Sequence, residues 1–372
     1  MEMVRRSRFV PPFCPWPECT AHRSRGRGFI RNGWYQKPSS RRRIPRFRCR
    51  DCRRTCSRQT FSASYYLKKP SLLPAVAAGL AACSAHRQIA RSNHCAKTTV
   101  TRLAERLGRH AMLFHAQCRQ SMPLLTERIV HDHFETFIGR QDQALGIGTA
   151  VGSRSWFVYD IDPAPHGGSG RRPDRKGRLE KLTPSRRAYA RSIQRTFRAL
   201  ISHLSEDQRL LCDVDGRLDY RLATAARDIK RHIVLRVFPN PKRGPKGSPR
   251  SPEARARDHA MFPVDQLHQL LRHTCADHKR ETIAFGRRLE SIVGRAQLIA
   301  VWKNFIKCRS ERRPDRSTPA MKLLLTASRW RWERLFTRRL FVDRAELSGA
   351  AELVYRKRWT KSLPELARKH AA

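Results

Sequence analysis

The chain has 372 residues, enough for two or three domains. Its 78 lysines and arginines stand against 31 acids, and the resulting net charge of +47 attracts any polyanion strongly. No run approaches the ~20 apolar residues of a membrane span, and the basic N-terminus lacks the apolar stretch of a secretory signal. Eleven cysteines in a chain of this size do not make the dense disulfide scaffold of a secreted protein, so a reducing, cytoplasmic setting is expected. The charge is uneven. Residues 1–131 hold five acids (Glu2, Glu18, Asp51, Glu105 and Glu127), whereas 132–290 hold nineteen. A basic front and an acid-bearing middle suggest binding in the first part and chemistry in the second.

In residues 1–62, Cys14-Pro-Trp-Pro-Glu-Cys19 and Cys49-Arg-Asp-Cys52 form two close thiol pairs about thirty residues apart. Pairs of this kind, each on its own tight turn, close a tetrahedral thiolate site around zinc. The Arg-, Gly- and Ser-rich sequence between them is too polar to build a core, so the metal is expected to supply much of the folding energy of this zinc ribbon. Cys56 lies close by as a spare thiol.

Residues 63–120 read as a helix-turn-helix. An apolar stretch from Leu72 to Cys83 precedes a helix with Ile89 and Ala90 turned inward, and Asn93-His94-Cys95 forms the turn. A second helix from Lys97 carries Val100, Leu103 and Leu107 at helical spacing. Its outward positions Lys97, Thr98, Thr101 and Arg102 suit phosphates and base edges in a major groove.

Residues 125–308 read as an α/β domain. Ile129 to Phe137, Ala144 to Val151 and Ser155 to Asp160 are predicted strands, followed by a helix from about Ser185 to Leu204. Leu210 to Gly216 is a short strand finishing on acids, and His232 to Phe238 is a β-branched strand after a further helix. Pro239 to Arg257 reads as a Pro/Gly/basic loop and Val264 to about Lys307 as helical. Carboxylates at strand ends and on a following helix suit a two-metal phosphoryl-transfer site, and in a chain this basic they equally suit salt bridges to arginine. Residues 309–372 form a basic, helical tail with apolar patches at Leu340-Phe341-Val342 and Leu353-Val354-Tyr355, whose packing partner the sequence does not choose. Trp330 and Trp332 are expected to anchor core, and His131 and His133 to be packing or polar surface.

Several motifs in order carry a resemblance over nearly the whole chain. They are CPWPEC with RCRDC, the DHFETFIG stretch at Asp132, Asp215-Gly216 followed by Tyr220, HKRETIAFGRR from His278 to Arg288, and STPAM from Ser317 to Met321. Together they resemble bacterial insertion-sequence transposases of the DDE class. The resemblance implies an α/β, ribonuclease-H-like mixed sheet with flanking helices behind the zinc ribbon and the helix-turn-helix. It implies Asp132 and Asp215 as the first two catalytic acids, with Asp213 as alternate for the second. Glu281 is the preferred third acid, with Asp265 as alternate. It further implies Mg²⁺ or Mn²⁺ at these acids, Zn²⁺ in the ribbon, phosphate contacts from Lys279, Arg280, Arg287 and Arg288, and a homo-oligomer on double-stranded DNA (element ends and target) in the bacterial cytoplasm. A catalytically inactive DNA-binding regulator and a basic RNA-binding protein are the rival readings.

Overall fold

The computed structural model describes residues 9–23, 28–36, 43–166, 171–173, 179–181, 187–241, 245, 247–279, 284–312 and 315–357. The chain divides into two compact units, one of residues 1–75 with 331–346 and one of 76–330 with 347–372.

In the first unit, strands β1 (Phe29–Gln36), β2 (Arg43–Cys49) and β3 (Thr55–Ser57) pair antiparallel in that order. Its aromatic cluster joins residues far apart in sequence. Phe13 meets Phe61 at 5.3 Å and Phe341 at 5.1 Å, the amide of Arg339 donates to the Phe61 carbonyl at 2.8 Å, and the Arg344 guanidinium lies 4.0 Å over the Phe13 ring. Part of the tail therefore completes the core of the ribbon. This small unit has too little apolar surface of its own to spare Phe341, which is 8 % exposed.

The second unit is mixed α/β. Helices α1 (Leu72–Ala81, which starts in the first unit), α2 (His86–Ser92) and α3 (Lys97–Gln120) lead into strands β4 (Ile129–Ile138), β5 (Arg140–Gly152) and β6 (Val158–Pro165). A short hairpin of β7 (Arg171–Pro173) and β8 (Leu179–Lys181) precedes α4 (Ala188–Ile201) and β9 (Leu210–Val214). Then come α5 (Leu218–Thr224), α6 (Arg227–His232), β10 (Ile233–Val237), α7 (Pro252–Thr274) and α8 (Leu289–Phe305), with three one- or two-turn helices, α9 (Pro319–Lys322), α10 (Trp332–Leu335, in the first unit) and α11 (Gly349–Tyr355), behind them. The five-stranded sheet has the order β10-β9-β4-β5-β6. Strands β4, β9 and β10 run parallel, and β5 is antiparallel to both its neighbours.

Helices cover both faces of this sheet, and the period-2 alternation of β4 sorts its side chains between them. His131 and His133 face α4 and α5, with ring contacts to Phe197, Tyr220 and Tyr189. Asp132 and Phe134 face α7, where His268 and Arg272 meet them. Both histidines are buried, which excludes a surface role and leaves packing.

Several boundaries differ from the sequence expectation: β6 runs Val158–Pro165 where Ser155 to Asp160 is predicted, β5 starts earlier, at Arg140, and both ends of α7 depart from it. The loop after β10 ends at Ser251, whose hydroxyl caps α7 by accepting from the Ala254 amide at 3.2 Å, with Pro252 and Glu253 in the favoured first-turn positions. Helix α7 continues through Pro263, and the single helical stretch expected up to Lys307 breaks at Cys275, whose extended backbone starts a 3₁₀ turn (Ala276–His278).

Helix α3 is longer than its recognition segment and runs on against α8. The two backbones meet at Gly108 and Gly294, where a Cβ on Gly108 would lie 2.9 Å from the Gly294 Cα. Polar bonds tie the pair to β6. His115 bonds Gln297 at 2.9 Å and the Val158 carbonyl at 2.8 Å, and the Asn304 amide group bonds both polar atoms of the Val158 backbone. Trp330 packs on Phe305 and Phe114, as a core anchor should, while Trp332 is half-buried and stacks on Phe336. Because the obstacle at Gly108 is backbone, Gly108→Ala is expected to destabilise the second unit by about 1–3 kcal/mol despite alanine's better helix propensity. Urea unfolding measures this, and an unchanged midpoint would show that the helices part without cost.

Candidate metal and nucleic-acid sites

The ribbon cysteines converge. Cys14 and Cys52 have sulfurs 3.6 Å apart, Cys19 and Cys49 3.8 Å apart, and all four lie within 4.8 Å of one another. These spacings match the roughly 3.8 Å edge of a tetrahedron built on Zn–S bonds of about 2.3 Å. Each pair sits on a turn held by its own backbone. The Cys14 amide donates to the Ala21 carbonyl at 3.0 Å, the Cys19 amide to Trp16 at 3.1 Å, and the Arg53 amide to Cys49 at 3.1 Å with Arg53 in the left-handed region at φ 58°. Burial, and then the neighbouring thiols, push the Cys14 thiol well above its usual range. Three buried thiols and a half-buried fourth in contact are poor company for one another without a cation, so the residues present fit zinc. Cys56 is held on β3 with its thiol raised to about 12 by burial and belongs to no such cluster.

The acids of the middle sort into two kinds. Asp160 pairs with Arg119 at 2.5 Å, Asp162 with Arg195 at 2.6 Å, and Asp213 with Arg236 at 3.3 Å and Arg128 at 3.6 Å. For these the salt-bridge reading holds, and Asp213 is held between two guanidinium groups. Asp132 has no lysine or arginine partner among the described residues. It accepts from the His133 amide at 2.7 Å, and the imidazole nearest to it, His268, is 3.9 Å away. Burial lowers His268 to about 3, so that ring is neutral, and its other nitrogen is bonded to the Thr149 hydroxyl at 2.8 Å.

What lies near Asp132 is carboxylate. Burial first, then Asp215, and to a smaller degree Asp265, raise Asp132 from 3.8 to about 7 against the opposing His133 amide. Asp215 follows β9 directly, accepts from the Arg217 amide at 3.1 Å, and is itself raised, chiefly by burial. It is held level with Asp132 by the parallel register Val130↔Asp213. Tyr220 secures the helix behind it, donating its hydroxyl proton to the His131 carbonyl at 2.8 Å and bonding His131 Nδ1 at 2.9 Å. Asp265 comes from α7, 31 % exposed, in a two-pronged ion pair with Arg257 of the same helix. The oxygens of the three acids are not all within 4.8 Å of one another, the spacing that the ribbon thiols meet. Glu281, preferred from sequence as third acid, lies outside the described residues, as does Arg280.

The helix-turn-helix segment presents an open groove of about 850 Å³ lined by Arg87, Arg91, His94, Cys95 and Lys97. Lys97, Thr98 and Arg102 are exposed along α3. The Thr101 hydroxyl is instead engaged locally, donating to the Lys97 carbonyl at 3.2 Å and bonding His86 at 3.1 Å. Arg87, Arg91 and His94 were not singled out from sequence, although their spacing around the turn carries the signal. Lys279, Arg287 and Arg288 are exposed, Arg288 lying 3.9 Å from Glu105. Among the described residues no helix is long and apolar enough to cross a membrane.

The raised Asp132 has a thermodynamic consequence. A carboxyl whose folded pKa is about 7 against 3.8 contributes stability that is fully present below about pH 4 and is lost as pH rises through about 7. The groups facing it are Asp215, Asp265, neutral His268 and the more distant Arg217. Zinc-loaded protein without Mg²⁺ is expected to lose stability between about pH 4 and 7, and Asp132→Asn to be roughly 1–3 kcal/mol more stable at pH 8. Denaturation at both pH values tests this, and parallel pH dependences in the two proteins would contradict it. No protein-family model and no curated protein sequence matches the chain.

Proposed function

We propose that the chain is a DNA transposase of the DDE class, which binds the ends of a mobile element through its ribbon and helix-turn-helix and cuts and joins strands at Asp132, Asp215 and Asp265. The observation that carries this is the approach of Asp215 and Asp265 to Asp132, a largely enclosed aspartate without a lysine or arginine ion pair among the described residues. Such a set attracts divalent cations, and hard oxygen donors suit Mg²⁺ or Mn²⁺. Support for a ribonuclease-H-like domain comes from the sheet order β10-β9-β4-β5-β6 with β5 alone antiparallel, and from acids on the central strand, after its parallel neighbour and on the helix after β10. We take Asp265 in preference to Glu281 because it is the carboxylate of α7 that acts on Asp132.

Bound at the acids, divalent ions would supply positive charge for the attacking and leaving oxygens of an in-line phosphoryl displacement. The chain's own part is positioning. Tyr220 and the Arg217 amide fix Asp215, β4 fixes Asp132, and α7 presents Asp265 together with Arg257, a guanidinium suited to a phosphate oxygen. Lys97, Thr98 and Arg102, with Arg87, Arg91 and His94, would meet a major groove, while Lys279, Arg287 and Arg288 would meet backbone phosphates. Two element ends must be brought together, so a homo-oligomer on DNA is part of the proposal.

With a duplex carrying the flanking DNA ends, Mg²⁺- or Mn²⁺-dependent nicking is expected. Asp132→Ala, Asp215→Ala and Asp265→Ala should each lower it at least about a hundredfold, roughly 2.7 kcal/mol of barrier, and leave duplex affinity unchanged. Glu281→Ala should retain cleavage. Binding without cleavage under either metal would refute the enzyme and leave the DNA-binding regulator. Tighter binding to structured RNA than to duplex DNA at matched salt would refute both.

A further inference from the structure

A second group of metal-type donors lies just past the end of α7. Cys275, Asp277 and His278 bring a thiol sulfur, a carboxylate oxygen and an imidazole nitrogen within 4.8 Å of one another. Cys275 and His278 are fully buried, and the Asp277 side chain is 17 % exposed. His278 Nδ1 lies 3.1 Å from Asp277 Oδ1, while its Nε2 is buried without a hydrogen-bond partner among the described residues. A plain Asp–His pair explains the first nitrogen and leaves the second unexplained. The Cys275 sulfur lies 3.7 Å from the Thr274 hydroxyl, a weak sulfur contact.

We propose that Cys275, Asp277 and His278 bind a second zinc ion at the end of α7. The donors are of the types zinc takes, and a water would complete its four-coordinate shell. Binding releases the Cys275 thiol proton and leaves one thiolate and one carboxylate around a dication, so the loaded site is electrically neutral. Arg295, which acts on Asp277, does not compete for the site, because its guanidinium is anchored elsewhere, donating to the Leu80 carbonyl at 3.2 Å and lying 3.4 Å from His86 Nε2. The ion would fix the turn that follows the helix carrying Asp265, and the site stands whether or not the acids cut DNA.

Metal analysis of the full chain, expressed with zinc and exhaustively desalted, tests the site independently of activity. Two zinc ions per chain are expected, falling to one in Cys275→Ser and in His278→Gln, and also to one in the Cys14→Ser/Cys19→Ser double variant. One zinc in the unaltered protein, or two in a folded Cys275→Ser, would overturn the proposal. If the Cys275 and His278 variants fail to fold, cobalt decides. The Cys14→Ser/Cys19→Ser chain loaded with Co²⁺ should show tetrahedral d–d absorption with thiolate charge transfer, and its absence would likewise overturn the site.

Discussion

Asp132 sits on the middle strand of the sheet, under a helix, with a neutral imidazole as its nearest ring and two further carboxylates close by. Burying a carboxylate in such company is unfavourable unless a cation joins it. What makes the omission informative is the composition of the rest. A chain with 78 basic residues supplies guanidinium groups to Asp160 and Asp162 on β6 and to Asp213 on β9, all in the same sheet. It supplies none to Asp132 among the described residues. Much of the surrounding architecture serves this constraint. The register of β4 with β9 brings Asp215 level, Tyr220 pins the turn after it, and α7 crosses the sheet so that His268 and Asp265 face the same side.

One continuous element within the second unit joins an exposed basic surface to the sheet. Helix α3 starts at the exposed Lys97 and Thr98 and ends against β6, where Arg119 pairs with Asp160. Its 24 residues span about 36 Å at 1.5 Å per residue. The close crossing with α8 and the buried His115–Gln297 bond leave little room for this strut to shift relative to the sheet. On the proposed reading, a DNA-contacting surface built this way would keep a fixed distance from the acids. The first unit is organised differently, around four thiols and an aromatic cluster that includes Phe341.

What was legible in the sequence was local. Ligand spacing fixes the zinc cysteines because each pair needs only its own turn, and β-branched runs mark β4, β9 and β10. Apolar spacing likewise marks the start of α3, but not its full length, since His115 looks polar until Gln297 and the Val158 carbonyl are seen to satisfy it. The start of α7 carried a readable signal in Ser251-Pro252-Glu253, obscured by the surrounding prolines and basic residues and by Pro263 inside the helix. The meeting of Asp265 with Asp132 depends on how α7 crosses the sheet, which no local pattern contains. The same holds for Phe341 at Phe13. The Thr101 hydroxyl shows the converse limit, because an outward position on a helical wheel does not reveal that the side chain bonds its own backbone.

The ion pair of Asp265 with Arg257 bears on how the three acids would work together. Both groups lie on α7 eight residues apart, and Asp265 keeps 31 % of its surface exposed. Arg257 is the more enclosed partner, 15 % exposed, so parting this two-pronged pair would cost more than at an open surface. On the proposed reading, the attraction of a dication for three carboxylates would have to offset that cost. Arg257 acts on Asp215 as well as Asp265, so it would remain beside the acids once parted from Asp265. A cation on the same helix would then face an approaching phosphodiester. The pairing that neutralises Asp265 thus keeps a guanidinium suited to a phosphate beside the acids.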